Sequence, residues 1–324
     1  MIVRWGLEEL RPLLTELGFE RPLLISSARW AELELPVAQR FHGVKPHAEV
    51  ESVREATERA RGADGLVALG GGSAMDTAKA VSSATGLSIV AVPTTYSGAE
   101  WTPFFGMRDP NRGVKGGGSG QPPVAIVYEP NLTLGLPRGE SGGTALNAVA
   151  HCAEALYVSG RNDDGDAHAL EGARLIGEAL PEVLADGGDV GARARLLRGA
   201  MHGGAALAAA GLGLGHAMAQ ALGGRYGVAH GAANALCLPP ALRFNRPVAV
   251  AEIARFAEAF GADDPAARVE ELARLAGFER LRELGVPEEG LDEVAEATAV
   301  RAGARANPRP ATPVEIAELL REIY

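Results

Sequence analysis

Three histidines and one glycine turn carry the chemistry open to this chain. Asn147 stands four residues before His151 in LNAVAHCAEALY, and His216 stands four before Gln220 in GHAMAQALGG, with His230 following in VAHGAAN. Residues four apart on a helix share a face, so each pair would present its side chains together. Three imidazoles suffice for a divalent metal that keeps one position open. Without a metal they can donate and accept protons near neutral pH. His42, His47, His168 and His202 lack such spacing and read as ordinary structural residues. Cys152 follows His151 directly, and neighbouring helix residues do not face each other, so the two make a poor nucleophilic pair. Both Cys152 and Cys237 read as small buried apolar side chains.

The turn is Gly70-Gly71-Gly72-Ser73, after the apolar run GLVAL and before a helical segment holding Asp76 and Lys79. Glycines let the backbone approach a pyrophosphate, and a helix N-terminus offers unpaired N–H groups and the positive end of its dipole. Ser73 could cap that helix or donate to phosphate. Asp76 and Lys79 also fit a plain i, i+3 pair. A bare glycine cluster equally suits a tight turn with no ligand, and the spaced GxGxxG pattern is absent. After the expected first strand come Ser26-Ser27-Ala28-Arg29. An acid there would hold ribose hydroxyls and disfavour NADP. With none, and with Ser27 and Arg29 able to accept a 2′-phosphate, the segment suits NADH or NADPH.

Short apolar runs must position the turn. Arg21–Ser27, Gly65–Leu69, Ser88–Val92 and Val124–Tyr128 read as strands, and Glu49–Arg61 as a helix between them. Continuous apolar strands separated by helices imply a parallel sheet covered on both faces. The Gly-rich stretch 106–120 reads as a loop or hairpin. From Pro137 onward strand signals vanish, and Ala167–Leu184, Ala192–Ala209, Val248–Phe260 and Pro313–Ile323 read as helices, with Pro239 and Pro240 marking a boundary. Residues 200–224 read as one buried helix, since His202, His216 and Gln220 break their apolar character. The fold expected is an α/β, Rossmann-like N-terminal domain over 1–136 and an all-α domain over 137–324 that carries the histidines.

The chain has 324 residues, enough for two domains without disulfide staples. A net charge of −10 repels nucleic acid and anionic lipid, and 5% aromatic content offers few stacking platforms. Nucleic acid and membrane are therefore not expected as partners. Two distant cysteines outside any CxxC pattern suggest a reducing compartment. The opening MIVRWGLEEL lacks a basic stretch followed by an apolar run, so a cytoplasmic protein is expected.

The longer string GGGSAMDTAK resembles the nucleotide motif of the iron-containing alcohol dehydrogenases, and Val92–Glu100 (VPTTYSGAE) resembles their second cofactor loop. That resemblance covers nearly the whole chain. It implies the two-domain fold shared with dehydroquinate synthase and a nicotinamide cofactor. It implies cofactor contacts at Gly71, Gly72, Ser73, Asp76, Thr94, Thr95 and Ser97, beside Ser27. In that family D-x-x-x-H and two later histidines ligate metal. His151, His216 and His230 match the histidine positions and are the candidate ligands for a divalent iron or zinc. Asn147 departs at the acid and Gln220 at a usual histidine. A neutral amide weakens cation binding substantially, so the metal is doubtful on these residues.

The N-x-x-x-H pattern resembles the maleylacetate reductases. So do Thr102-Pro103, Leu132-Thr133-Leu134-Gly135-Leu136-Pro137, Leu222-Gly223-Gly224 and Ala306-Asn307-Pro308-Arg309. That likeness implies hydride transfer from NAD(P)H to the double bond of maleylacetate, giving 3-oxoadipate in aromatic degradation, and a homodimer. His216 or His230 would then stabilise the enolate oxygen. The dianionic substrate would need basic or N–H anchors, for which Lys115, Arg225 and Asn147 are the candidates. Alternatives are a metal-dependent dehydrogenase of another carbonyl compound, a dehydroquinate synthase-like lyase, and a non-catalytic dinucleotide-binding protein.

Overall fold

A computed structural model describes residues 1–109 and 114–324. Contacts divide the chain into two units, 1–95 with 99–133, and 134–324 with the short segment 96–98. The main division falls after Thr133, and Tyr96–Gly98 joins the second unit through tertiary contacts that no linear boundary could express.

The first unit is built on a six-stranded parallel sheet in the order β1-β8-β5-β4-β2-β3. Its strands are β1 (Ile2–Trp5), β2 (Leu23–Ile25), β3 (Gln39–Phe41), β4 (Leu66–Gly70), β5 (Ile89–Pro93) and β8 (Ala125–Tyr128). β2, β4, β5 and β8 are buried throughout, which is why they read as unbroken apolar runs. β1 and β3 lie at the two edges, are only half-buried and contain arginine. Their mixed composition hid them in the sequence. Helices α1 (Leu10–Glu16), α2 (Val50–Arg59) and α3 (Gly72–Thr85) connect the strands. A core of Leu10, Leu13, Leu24, Val67, Leu69, Val90 and Val127 fills one face.

The Gly-rich stretch forms an antiparallel pair, β6 (Phe104–Asp109) with β7 (Val114–Ser119). α3 tethers it. Asp76 Oδ2 accepts from the Gly106 N–H at 3.1 Å, and Lys79 Nζ donates to the Ala99 and Phe104 carbonyls at 2.6 and 2.8 Å. Lys79 is almost fully buried, and burial holds its pKa below the usual lysine range.

The second unit is helical. It runs through α4 (Arg138–Ala155), α5 (Asp163–Ala185), α6 (Val190–Ala210), α7 (Leu214–Tyr226), α8 (His230–Asn245), α9 (Val250–Phe260), α10 (Pro265–Ala276), α11 (Leu291–Ala299), α12 (Ala302–Ala306) and α13 (Pro313–Glu322). Two expectations fail here. Residues 200–224 are not one helix, because α6 ends at Gly211, with φ of 91°, and α7 leaves at 99° to it. Pro239 and Pro240 do not mark a boundary but lie inside α8. Each proline removes one helical N–H, a cost offset because α8 packs on α4, α7, α10 and α13. Among the described residues, no single helix is long and apolar enough to cross a membrane.

Candidate active site

The glycine turn sits at the carboxyl ends of β4 and β5, where Gly70 is paired with Pro93. Ligands of open parallel sheets bind at this end. Gly70 takes a φ of 145° and accepts from the Thr94 N–H at 3.0 Å, which joins the two candidate cofactor segments. A Cβ on Gly71 would lie 2.8 Å from Thr95 Cγ2, so only glycine fits beside that threonine. Gly71 is the N-cap of α3 and supplies no side-chain cap. The first N–H groups of α3 therefore have no intrahelical partner and are placed for an anion.

Ser73 does not cap α3. Its Oγ accepts from the His47 N–H at 3.0 Å. His47 and Ala48 both have left-handed backbones, with φ of 59° and 47°, a conformation costing roughly 1–2 kcal/mol for a residue with a Cβ. Strain of this kind gathers at ligand clamps. His47 was read as an ordinary residue, and nothing in the sequence marks it. Asp76 accepts from Gly106, as described, and lies 3.9 Å from Lys79. Ser27 follows β2 at the same sheet end and bridges to Gly43.

Ser97 belongs with the helices. Its carbonyl accepts from Asn147 Nδ2 at 2.9 Å. The preceding Tyr96 gives its N–H to Thr144 Oγ1 at 3.3 Å, and its hydroxyl accepts from Arg193 Nη1 at 3.1 Å. Arg193 is 1% exposed and bonds otherwise to Gly187, Ser141 and Leu136 oxygens. A buried cation satisfied by several oxygens fixes this segment firmly.

The three imidazoles do converge. The His151 and His216 rings stack with centroids 4.7 Å apart, and the His216 and His230 centroids lie 5.6 Å apart. Asn147 sits among them. Donation to Ser97 orients its amide, so Oδ1 receives Asn234 Nδ2 at 2.7 Å and faces His216 Nε2 at 3.2 Å. Asn234 Nδ2 also lies 3.1 Å from His230 Nε2, so that nitrogen acts as an acceptor. His151 is buried, and burial, then the neighbouring His216 and His230, hold its pKa well below the ordinary imidazole value. His230 is the exposed member, at the first turn of α8.

Glu154 is the residue that sequence reasoning missed. Its Oε2 lies 2.6 Å from His216 Nδ1 and accepts from the Gly213 N–H at 2.7 Å, while Oε1 accepts from the His216 N–H at 3.1 Å. A carboxyl group that already accepts two backbone N–H groups places the imidazole proton on Nδ1. The same contacts seat the N-terminus of α7 on an acidic group, the favourable end of the dipole. They explain why the chain breaks at 211–213 and turns. The available signal was Glu154 three residues after His151 on one helix.

This donor set does not fit a metal ion. Among the described residues, no three His, Cys, Asp or Glu side chains are arranged to hold one. The Asn147 oxygen is neutral and already accepts from Asn234, and His230 Nε2 faces the same amide N–H. His216 Nε2 is turned toward the Asn147 oxygen at 3.2 Å. The three imidazoles expected as ligands, His151, His216 and His230, thus stand around a neutral amide and not around a carboxylate.

Two of the expected substrate contacts change as well. Asn147 is 3% exposed and its amide is engaged on both sides, so it organises the imidazoles and does not face a substrate. Arg225 lies exposed in the last turn of α7. Its guanidinium is ion-paired with Glu293 and stacked near Tyr226, which removes it from the histidines. Lys115 pairs with Arg108 across the hairpin, and its side chain lies outside the described residues.

Comparison with known proteins agrees with this architecture. Residues 4–128 match the model of the iron-containing alcohol dehydrogenases, and residues 142–324 match the C-terminal model of the same Fe-containing family. Maleylacetate reductase from Burkholderia cepacia is 37% identical over 338 aligned positions, covering 99% of this chain and 95% of that protein. The crystal structure of maleylacetate reductase from Agrobacterium tumefaciens superposes with a TM-score of 0.90 at 33% identity, covering 100% of this chain and 95% of the other. An iron-containing alcohol dehydrogenase from Corynebacterium glutamicum gives 0.91 at 30% identity, covering 100% and 94%. With both halves matched and the glycine turn and imidazoles in place, this chain belongs to the iron-containing alcohol dehydrogenase family.

Proposed function

We propose that the protein reduces maleylacetate to 3-oxoadipate with NADH or NADPH, and that it does so through hydrogen-bonding side chains alone. The observation that carries this reading is Asn147, a neutral amide tied by Asn234 and Ser97 at the centre of three imidazoles. It stands in a chain whose near-full-length relatives include maleylacetate reductases.

Hydride from the nicotinamide adds to the carbon–carbon double bond at the position β to the ketone, and the electron pair moves onto the carbonyl oxygen as an enolate. A pre-set N–H donor lowers the energy of that charge. His230 suits the task. It is exposed, its Nε2 accepts from Asn234, and its proton therefore sits on Nδ1. The α8 N-terminus beside it adds the positive end of a helix dipole. His216, fully buried and held by Glu154, fixes the geometry. Protonation of the enolate carbon by water or His230 completes the ketone. The pyrophosphate is assigned to Gly71, Gly72 and Ser73, and the rest of the dinucleotide to Ser27, Thr94, Thr95 and Ser97. A homodimer and a cytoplasmic setting belong to the same reading, which suits the two unpaired, buried cysteines.

The test is the fall in absorbance at 340 nm with maleylacetate and each dinucleotide, with and without chelator, and chromatographic identification of 3-oxoadipate. Turnover unchanged by the chelator is expected. Activity restored only by added divalent metal, or reduction of simple aldehydes in preference to maleylacetate, would overturn the reading.

A further inference from the structure

The imidazoles account for the reacting carbonyl but not for the two negative charges of the proposed substrate, and two expected anchors have been removed. The second unit holds one cation whose environment asks for an anion. Arg301, just before α12, is half-buried, and its Nε is enclosed with no hydrogen-bond partner. Burial alone lowers its pKa, with no neighbouring carboxylate acting against it. The fully buried guanidinium of Arg193, by contrast, is surrounded by oxygens. A buried donor left unsatisfied is costly, so such a group is normally completed by something.

Its position says what completes it. From Gly213 to Gly223 the chain is buried at every residue except Gln220, and Gly224 is again partly open. His216, Gln220 and Gly224 are spaced by four and share one face of α7. The open positions of this otherwise buried helix therefore lie in line with His216. A Cβ on Gly224 would sit 3.6 Å from Arg301 Nη2, so the guanidinium lies over the far end of that line, in space the glycine leaves clear. Eight residues of helix rise about 12 Å.

We propose that Arg301 binds a terminal carboxylate of the substrate and selects six-carbon dicarboxylates over monoacids. The inference rests on the proposed maleylacetate reading for the identity of the dianion. Arg301 completes its hydrogen bonding with the carboxylate, while the reacting ketone lies at His230. A charge-assisted pair of this kind contributes about 2 kcal/mol, or roughly 30-fold in affinity.

The experiment is calorimetric titration of the dinucleotide-loaded protein with adipate and with hexanoate, six-carbon chains bearing two carboxylates and one. The wild type is expected to favour adipate by about 30-fold. R301Q is expected to bring that ratio close to one, with dinucleotide affinity unchanged, and R301K to keep an intermediate preference that shows the fold intact. An adipate preference equal in wild type and R301Q overturns the anchor. So does a loss of dinucleotide affinity that matches the loss for adipate, which would assign Arg301 to a cofactor phosphate. Because binding needs no turnover, a protein that prefers adipate through Arg301 yet fails to reduce maleylacetate keeps the anchor and loses the substrate assignment. One that reduces maleylacetate without any adipate preference does the reverse.

Discussion

The glycine turn and the imidazole cluster solve opposite problems. At Gly70–Ser73 the functional groups are backbone N–H donors, and side chains are absent where they would obstruct: a Cβ at position 71 would collide with Thr95. At the cluster the functional groups are side chains from α4, α7 and α8, and His216, His230 and Asn147 are held by other polar groups. Glu154 holds His216, Asn234 holds His230 and Asn147, and Ser97 holds Asn147. The first site can be written in four consecutive residues. Apart from Asn234 and His230 on one helix, the second depends on partners 50 to 87 positions apart. A backbone site tolerates change around it and fails by obstruction, whereas a side-chain network fails when any one member is lost.

The sharpest way to break this contrast is Glu154→Gln. It replaces one of the two buried oxygens shared by His216 and the start of α7 with an N–H donor and removes the negative charge. Breaking one partner of a buried pair costs about 3–5 kcal/mol, and kcat/KM is expected to fall by about a hundredfold as the imidazole loses its orientation. Denaturant melts and steady-state rates read both. Retained kcat in a destabilised protein would reduce Glu154 to a helix anchor. Asn147→Asp comes next. Its new carboxylate would oppose the Ser97 carbonyl and offer the imidazoles a hard anionic neighbour. The variant is expected to retain about one equivalent of divalent metal by elemental analysis and to lose about tenfold in activity on chelation, where the wild type loses nothing.

Gly71→Ala tests the other side of the comparison. The added methyl meets Thr95, and dinucleotide affinity, read by NADH fluorescence, is expected to weaken about tenfold, near 1.4 kcal/mol. The imidazoles should be untouched, so kcat at saturating cofactor should hold. If kcat falls and affinity does not, the turn is not the phosphate site.

The smallest effect concerns imidazoles outside the site. His202 Nδ1 lies 2.8 Å from His168 Nδ1, and burial, then His168, hold the His202 pKa below 6.5, with Glu171 opposing and Arg198 and Arg174 adding to the shift. Below its ordinary pKa the unfolded chain takes up a proton that the folded one resists. Stability is therefore full above about pH 6.5 and falls as the pH drops. His202→Gln should make that fall shallower in melts between pH 7.5 and 5 while leaving turnover at pH 7.5 unchanged. An effect on turnover would extend the functional network beyond the cluster.

Much of this was decided by sequence alone. Unbroken apolar runs fixed β2, β4, β5 and β8, because a strand buried on both faces has no polar side to show. Four-residue spacing put Asn147 with His151 and His216 with Gln220, because helical period is local. Gly70–Ser73 was legible because a backbone site needs only its own residues. Tertiary structure decided what distant residues do to one another. It turned α7 through 99° onto Glu154, carried α8 through two prolines, and seated Tyr96–Gly98 among the helices. It engaged the Asn147 amide on both sides and paired Arg225 with Glu293. It also left Arg301 enclosed without a partner. A residue's type states which bonds it can make; which of them it makes depends on neighbours that only the folded chain supplies.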